Sequence, residues 1–156
     1  DLKAREIGLR LLVPRECDLL EWDRRAEYSV YPEDHIGRPH GQARAFAEHA
    51  SGTPPEWPWS QDNSPMGCND FRSTKRQVNW VSLRQPGGPG VCVLSDGSQS
   101  ARAMVGETGI WLHVSDWFGG TGAGLGEWVE NYGDGKLIKR GDVIESTIQL
   151  RLLGGE

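Results

Sequence analysis

Cysteine is scarce and odd in number: the chain has three, Cys17, Cys68 and Cys92, and none stands at CxxC spacing. That argues against a disulfide framework and a structural zinc site, and it predicts buried or half-buried free thiols. No apolar run approaches the roughly 18 residues of a membrane helix, and Asp1 to Arg10 lacks the apolar core of a signal peptide, so no membrane partner is expected. Positive charge is in short supply, with 17 Lys and Arg against 22 Asp and Glu. The basic residues are scattered apart from Lys75-Arg76 and Lys139-Arg140, which leaves no stripe to track phosphates and no expected nucleic-acid partner. Long helical patterns are missing as well. With 21 glycines, 9 prolines and 37% hydrophobic residues, the 156-residue chain reads as many short elements joined by turns. The expected fold is all-β, an antiparallel β-sandwich forming one domain over residues 1–156.

The strongest positive signal is the stretch from Gly67 to Asp96. Val78, Trp80 and Leu83 form one run suited to a pleated surface, and Val91, Val93 and Leu94 form a second. Between them, Arg84 to Gly90 supplies two prolines that cannot donate to a ladder and three glycines that accept positive φ, which predicts a hairpin connection. Asn69 to Arg76 is a polar lead-in whose side chains can bond loop backbone. Ile7, Leu9 and Leu11 alternate with Gly8 and Arg10 until Pro14, predicting a half-buried strand over Glu6 to Val13. Leu19, Leu20 and Trp22 form a short apolar island that Arg24 to Tyr31 would extend. Gln42 to Ala50 is alanine-rich and predicts one or two helical turns. Gln99 to Met104 and Ile110 to Val114 read as further strands. A last one carries Ile144, Ile148, Leu150 and Leu152 on one face and Val143, Glu145, Thr147, Gln149 and Arg151 on the other. The total is six to eight strands without an internal repeat.

Few residues suggest chemistry. His35 and His40 stand near Glu33 and Asp34 but match no metal-ligand spacing, and His113 is a lone strand histidine beside Trp111. No metal or other cofactor is expected. The glycine run from Gly119 to Gly126 lacks the lysine-serine ending of a phosphate loop. Asp116 and Trp117 precede that run and Glu127 and Trp128 follow it. A tryptophan face beside carboxylates complements a sugar's C–H face and hydroxyls, so Trp128, Trp117 and Glu127 are the candidate substrate-binding residues. Trp57 and Trp59, held stiff around Pro58, could present further aromatic faces. Trp22, Trp80 and Trp111 are expected in the core. Glycoside hydrolysis needs a carboxylate pair; Glu127 with Asp116 or Asp134 could be proposed, but no pattern singles them out, and no catalytic residue is assigned.

Four segments together resemble the C-terminal domain of β-galactosidase-type enzymes of glycoside hydrolase family 2. They are Ile7 to Arg10 with Val13-Pro14, the span from Trp22 to Tyr31-Pro32, the hairpin led by Asn69-Asp70-Phe71-Arg72, and the glycine-rich loop with the final strand. Trp22 and Tyr31 keep the family's separation, while Arg24, Ala26, Glu27 and Ser29 occupy its glycine-rich turn, as in a divergent branch. The resemblance implies a galactose mutarotase-like supersandwich, of which this chain would supply the C-terminal part as a fragment of a larger glycosidase. It also implies that the catalytic residues lie in a separate barrel, and that Trp128 walls the parent enzyme's sugar site. The expected partners are therefore a β-galactoside or related glycan and the catalytic barrel of the parent chain, with self-association through unpaired sheet edges. A free-standing carbohydrate-binding module using Trp57, Trp59, Trp117 and Trp128 is the alternative, and an aldose epimerase using His113 with an acid is a third.

Overall fold

A computed structural model describes residues 1–25, 39–46, 71–118 and 135–154. Among them are ten strands and no helix: β1 (Leu2–Ala4), β2 (Glu6–Val13), β3 (Leu19–Arg24), β4 (His40–Arg44), β5 (Val78–Arg84), β6 (Gly90–Leu94), β7 (Ser100–Val105), β8 (Ile110–Phe118), β9 (Lys136–Ile138) and β10 (Gln149–Leu153). Every pairing is antiparallel. A five-stranded sheet runs β10-β6-β5-β3-β4, a three-stranded sheet runs β2-β8-β7, and β1 with β9 forms a two-stranded ribbon. The expected all-β sandwich is what forms.

Period-two alternation assigns the faces. On β8, Ile110, Leu112 and Val114 are buried while Trp111 and His113 on the other face are only half-buried. They meet Leu20 and Trp22 of β3, Val81 and Leu83 of β5, Val91 and Val93 of β6, and Ala101 and Ala103 of β7 in one core. The central hairpin closes as its sequence predicts: Gly88 N–H donates to Gln85 O at 2.9 Å, Gln85 N–H donates to Pro89 O at 2.9 Å, and Gly87 takes φ 66°. Cross-strand pairs fix its neighbours. Arg84 Nε donates to Glu21 Oε2 at 2.7 Å, and Asn79 Nδ2 donates to Asp23 Oδ1 at 2.6 Å. Cys17 and Cys92 are buried free thiols, as expected, and burial pushes both thiols up from their ordinary pKa; Cys68 lies outside the described residues.

Three expectations need correction. Residues 40–44 form a strand and not a helical turn, because pairing with β3 and a forked bond from Arg44 to the buried Asp18 (Nη2 to Oδ1, 2.8 Å) override alanine's helix propensity. The final strand begins at Gln149; residues 143–148 have no regular structure. Leu150 and Leu152 share one face of it, as expected, and are 47% and 85% exposed. They stand opposite Val93 and Val91 and so share the core-side face, but five strands overhang three, and β10 lies at the uncovered margin. Finally, of the three tryptophans expected in the core only Trp22 is there, at 1% exposure. Trp80 shares a face with neither Val81 nor Leu83, its adjacent core residues on β5. Val78 still reaches the core because the β3–β5 register shifts at Asn79, so Trp80 is only half-buried. Trp111 likewise sits on the outer face, with the Arg10 guanidinium 4.5 Å from its ring centroid.

Candidate functional site

The strand expected over Ile110 to Val114 runs on to Phe118, so Asp116 and Trp117 belong to β8 and not to the glycine-rich stretch. A bulge sits there. Ile7 pairs with Trp117 and Gly8 with Ser115, leaving Asp116 as the extra residue of β8. Glycine at position 8 permits this: a Cβ would overlap the Val114 carbonyl and lie 2.6 Å from Ser115 Cα.

The bulged Asp116 meets Gln99, the residue before β7. Gln99 Nε2 donates to Asp116 Oδ1 at 2.8 Å, and the Gln99 backbone carbonyl accepts from Val78 N–H at 2.9 Å, which anchors the side chain from the core hairpin. Gln99 is only 3% exposed. The Gln99 amide oxygen Oε1 and the other carboxylate oxygen, Asp116 Oδ2, are buried without a hydrogen-bond partner, and the Trp117 indole N–H is buried and unpartnered as well. Leaving such an atom unsatisfied costs about 1–3 kcal/mol. Both Gln99 and Asp116 line a polar cleft of about 530 Å³, and Asp116 also lines an adjoining apolar cleft of about 380 Å³. Ser146, on the irregular segment before β10, borders both.

A second cluster lies on the outer face of the three-stranded sheet. Arg102 Nη2 donates to Glu6 Oε2 at 2.6 Å, Ser115 Oγ donates to Glu6 Oε1 at 2.6 Å, and His113 Nδ1 is 3.7 Å from Glu6 Oε1. Burial works to raise Glu6, but the bonds from Arg102 and Ser115 outweigh it and hold the carboxyl below its ordinary value. Burial, then the Arg102 charge, lowers His113, and Glu6 opposes that only in part. The pair is thus a neutral imidazole beside a carboxylate occupied by two donors. A carboxylate so engaged is a poor base.

Of the candidate substrate-binding residues, Trp117 is half-buried on β8 with Lys136 Nζ 5.8 Å from its ring centroid. Trp128 and Glu127 lie outside the described residues, as do His35, Glu33, Asp34, Trp57, Trp59 and Asp134. His40 is an exposed residue of β4. Sequence reasoning missed Gln99 as a site residue. Its signal was faint, a lone amide directly before a strand, and only the bulge at Asp116, on the neighbouring strand β8, gives it a partner. No group of three or more His, Cys, Asp or Glu that could hold a metal occurs among the described residues. Comparison of the chain with protein-family models, with curated proteins and with solved structures finds no match.

Proposed function

We propose that this chain is a non-catalytic β-sandwich domain of a family 2 glycoside hydrolase, of the β-galactosidase type, which supports and partly walls the sugar site of its parent enzyme. The observation that carries this reading is the course of β8. It leaves the core at Val114, bulges at Asp116, and leads through Trp117 directly into the glycine-rich stretch that bears Glu127 and Trp128. A rigid strand feeding such a stretch is a fit support for an aromatic that reaches across to a neighbouring domain. The resembling segments support it too, since they supply β2, β3, the β5–β6 hairpin and β10.

The chain alone is then expected to leave aryl β-galactosides and β-glucosides intact. Turnover by the isolated chain that disappears with Glu127→Gln overturns the assignment. In the parent enzyme, Trp128→Ala should lower kcat/KM for the sugar substrate by weakening transition-state binding, with thermal stability unchanged. Unaltered parent kinetics would return Trp128 to a structural role.

A further inference from the structure

We infer that β10 is a docking edge for a second copy of this chain: an antiparallel β10–β10 pair, on a two-fold axis at Leu150, joins the five-stranded sheets of two copies into one continuous sheet. The inference is independent of the sugar-wall reading, which concerns Trp128 and a separate barrel.

Among the described residues the two larger sheets are bordered by β4 and β10 on one and by β2 and β7 on the other. Three of these edges are blunted. The register of β2 shifts between Ile7 and Gly8, which breaks its regular course. β7 is already bridged on its free side, where Lys75 and Ala101 exchange two backbone bonds of 2.8 Å. β4 offers only Gly41 and Ala43 on its core-side face, so a strand added there buries little apolar surface. β10 has no such device. It pairs with β6 at every position from Gln149 to Leu153 without a register shift, contains no proline or lysine, and carries Leu150 and Leu152, 47% and 85% exposed, on its core-side face.

The sequence of β10 chooses the register. A strand that pairs with its own copy keeps its leucines on one face only when the axis passes through a residue. An axis at Arg151 sets two guanidinium groups directly opposite each other, a like-charge pair. An axis at Leu152 sets Leu150 against Gly154, which has no side chain to cover it. An axis at Leu150 sets Leu150 against itself, Leu152 against Ile148 of the second copy, and Arg151 against Gln149 of the second copy. That register covers the most exposed leucine with an apolar side chain and gives each guanidinium an amide oxygen. The contact is one short strand wide, so the dimer is weak and reversible, with a Kd of roughly micromolar or higher.

The test is the dimer Kd of charge variants at position 149, measured by sedimentation over a concentration series. Gln149 is exposed, so these substitutions leave the monomer fold alone. Gln149→Glu sets a carboxylate opposite Arg151 in both symmetric pairs and should tighten the dimer about fivefold, even though it makes an acidic chain more acidic. Gln149→Arg should loosen it by about the same factor. Cross-linking reads the axis. With oxidised glutathione as oxidant, Leu150→Cys should give a disulfide-linked dimer, whereas Leu152→Cys, which faces Ile148, and the unaltered chain should give little. A dimer whose Kd ignores both charge variants, or moves with net charge instead, overturns the inference, and so does cross-linking that favours Leu152→Cys. A chain that stays monomeric while its β10 amides resist hydrogen exchange also overturns it, because another stretch of the same chain then covers the edge. A monomer with unprotected β10 amides overturns it as well, since the edge then stays open to water.

Discussion

His113 and Glu6 set the pH response of the outer face, and both act in the same direction. The fold holds each below its ordinary value, 6.5 for the imidazole and 4.5 for the carboxyl, so in each window the unfolded chain binds more protons than the folded one. The stability from His113 is fully present above 6.5 and is lost as pH falls through its lowered folded value. Glu6 repeats the pattern from 4.5 downward. Thermal midpoints measured against pH should therefore fall on acidification in two successive steps. His113→Gln should remove the upper step and leave the lower one. A midpoint that rises as the pH is taken below neutrality would contradict the burial of the imidazole beside Arg102. Lys75 shows the same economy of placement in the core. It is 1% exposed, its Nζ donates to Ser73 O at 2.9 Å, and it lies 4.4 Å from the Trp22 ring centroid.

At the level of elements, the β8 bulge is the hinge between fold and site, and Gly8 is what makes it possible. Gly8→Ala forces a methyl group into backbone atoms of Val114 and Ser115, which cannot give as a side-chain tip would. The substitution should cost about 3 kcal/mol by urea unfolding, at the upper end of ordinary overpacking. It should also broaden the Gln99 side-chain amide resonance, because the Asp116 partner is displaced with the bulge. A loss below about 0.5 kcal/mol, the usual scale of surface changes, would mean that the pairing of β2 with β8 tolerates a regular register. Strands whose boundaries lie in local sequence were legible: Glu6 to Val13 from alternation and Pro14, the hairpin from its prolines and glycines; the burial along Glu6 to Val13 was not, since Leu9 is exposed and Val13 is the buried residue. Those decided by a distant partner were not. β4 looks helical until β3 and Asp18 are placed beside it. The three-residue strands β1 and β9 are too short to show a period, and exist only because Leu2 meets Ile138. The bulge escaped notice for a related reason, since an extra residue in one strand can be seen only against the other.

For the whole molecule, the mismatch of five strands over three among the described residues leaves apolar surface exposed at one margin. β10 shows the core-side faces of Leu150 and Leu152 beyond the reach of the smaller sheet, and among the described residues it is the edge strand of its sheet. Val143 and Ile144 add exposed apolar surface in the segment before it. Uncovered margins of this kind seek a partner. Sedimentation velocity over a concentration series should show reversible self-association, and Leu152→Lys should suppress it without lowering the unfolding midpoint, since the leucine is already exposed. A strictly monomeric chain at high concentration would show that the margin is shielded well enough on its own.

The pairing of β2 with β8 also has a temporal side. Val13 pairs with Ile110 and Glu6 with Phe118, so the partners of one strand are separated by roughly a hundred residues of chain. At the usual pace of synthesis, about 5 to 20 residues per second, β2 leaves the ribosome about 5 to 20 seconds before the strand that completes it. Until then Ile7, Leu9 and Leu11 have no sheet to join, while the β5–β6 hairpin can close as soon as it is made. The β5–β6 hairpin thus has its partner at once, whereas β2 waits for β8 and β1 waits longer still for β9.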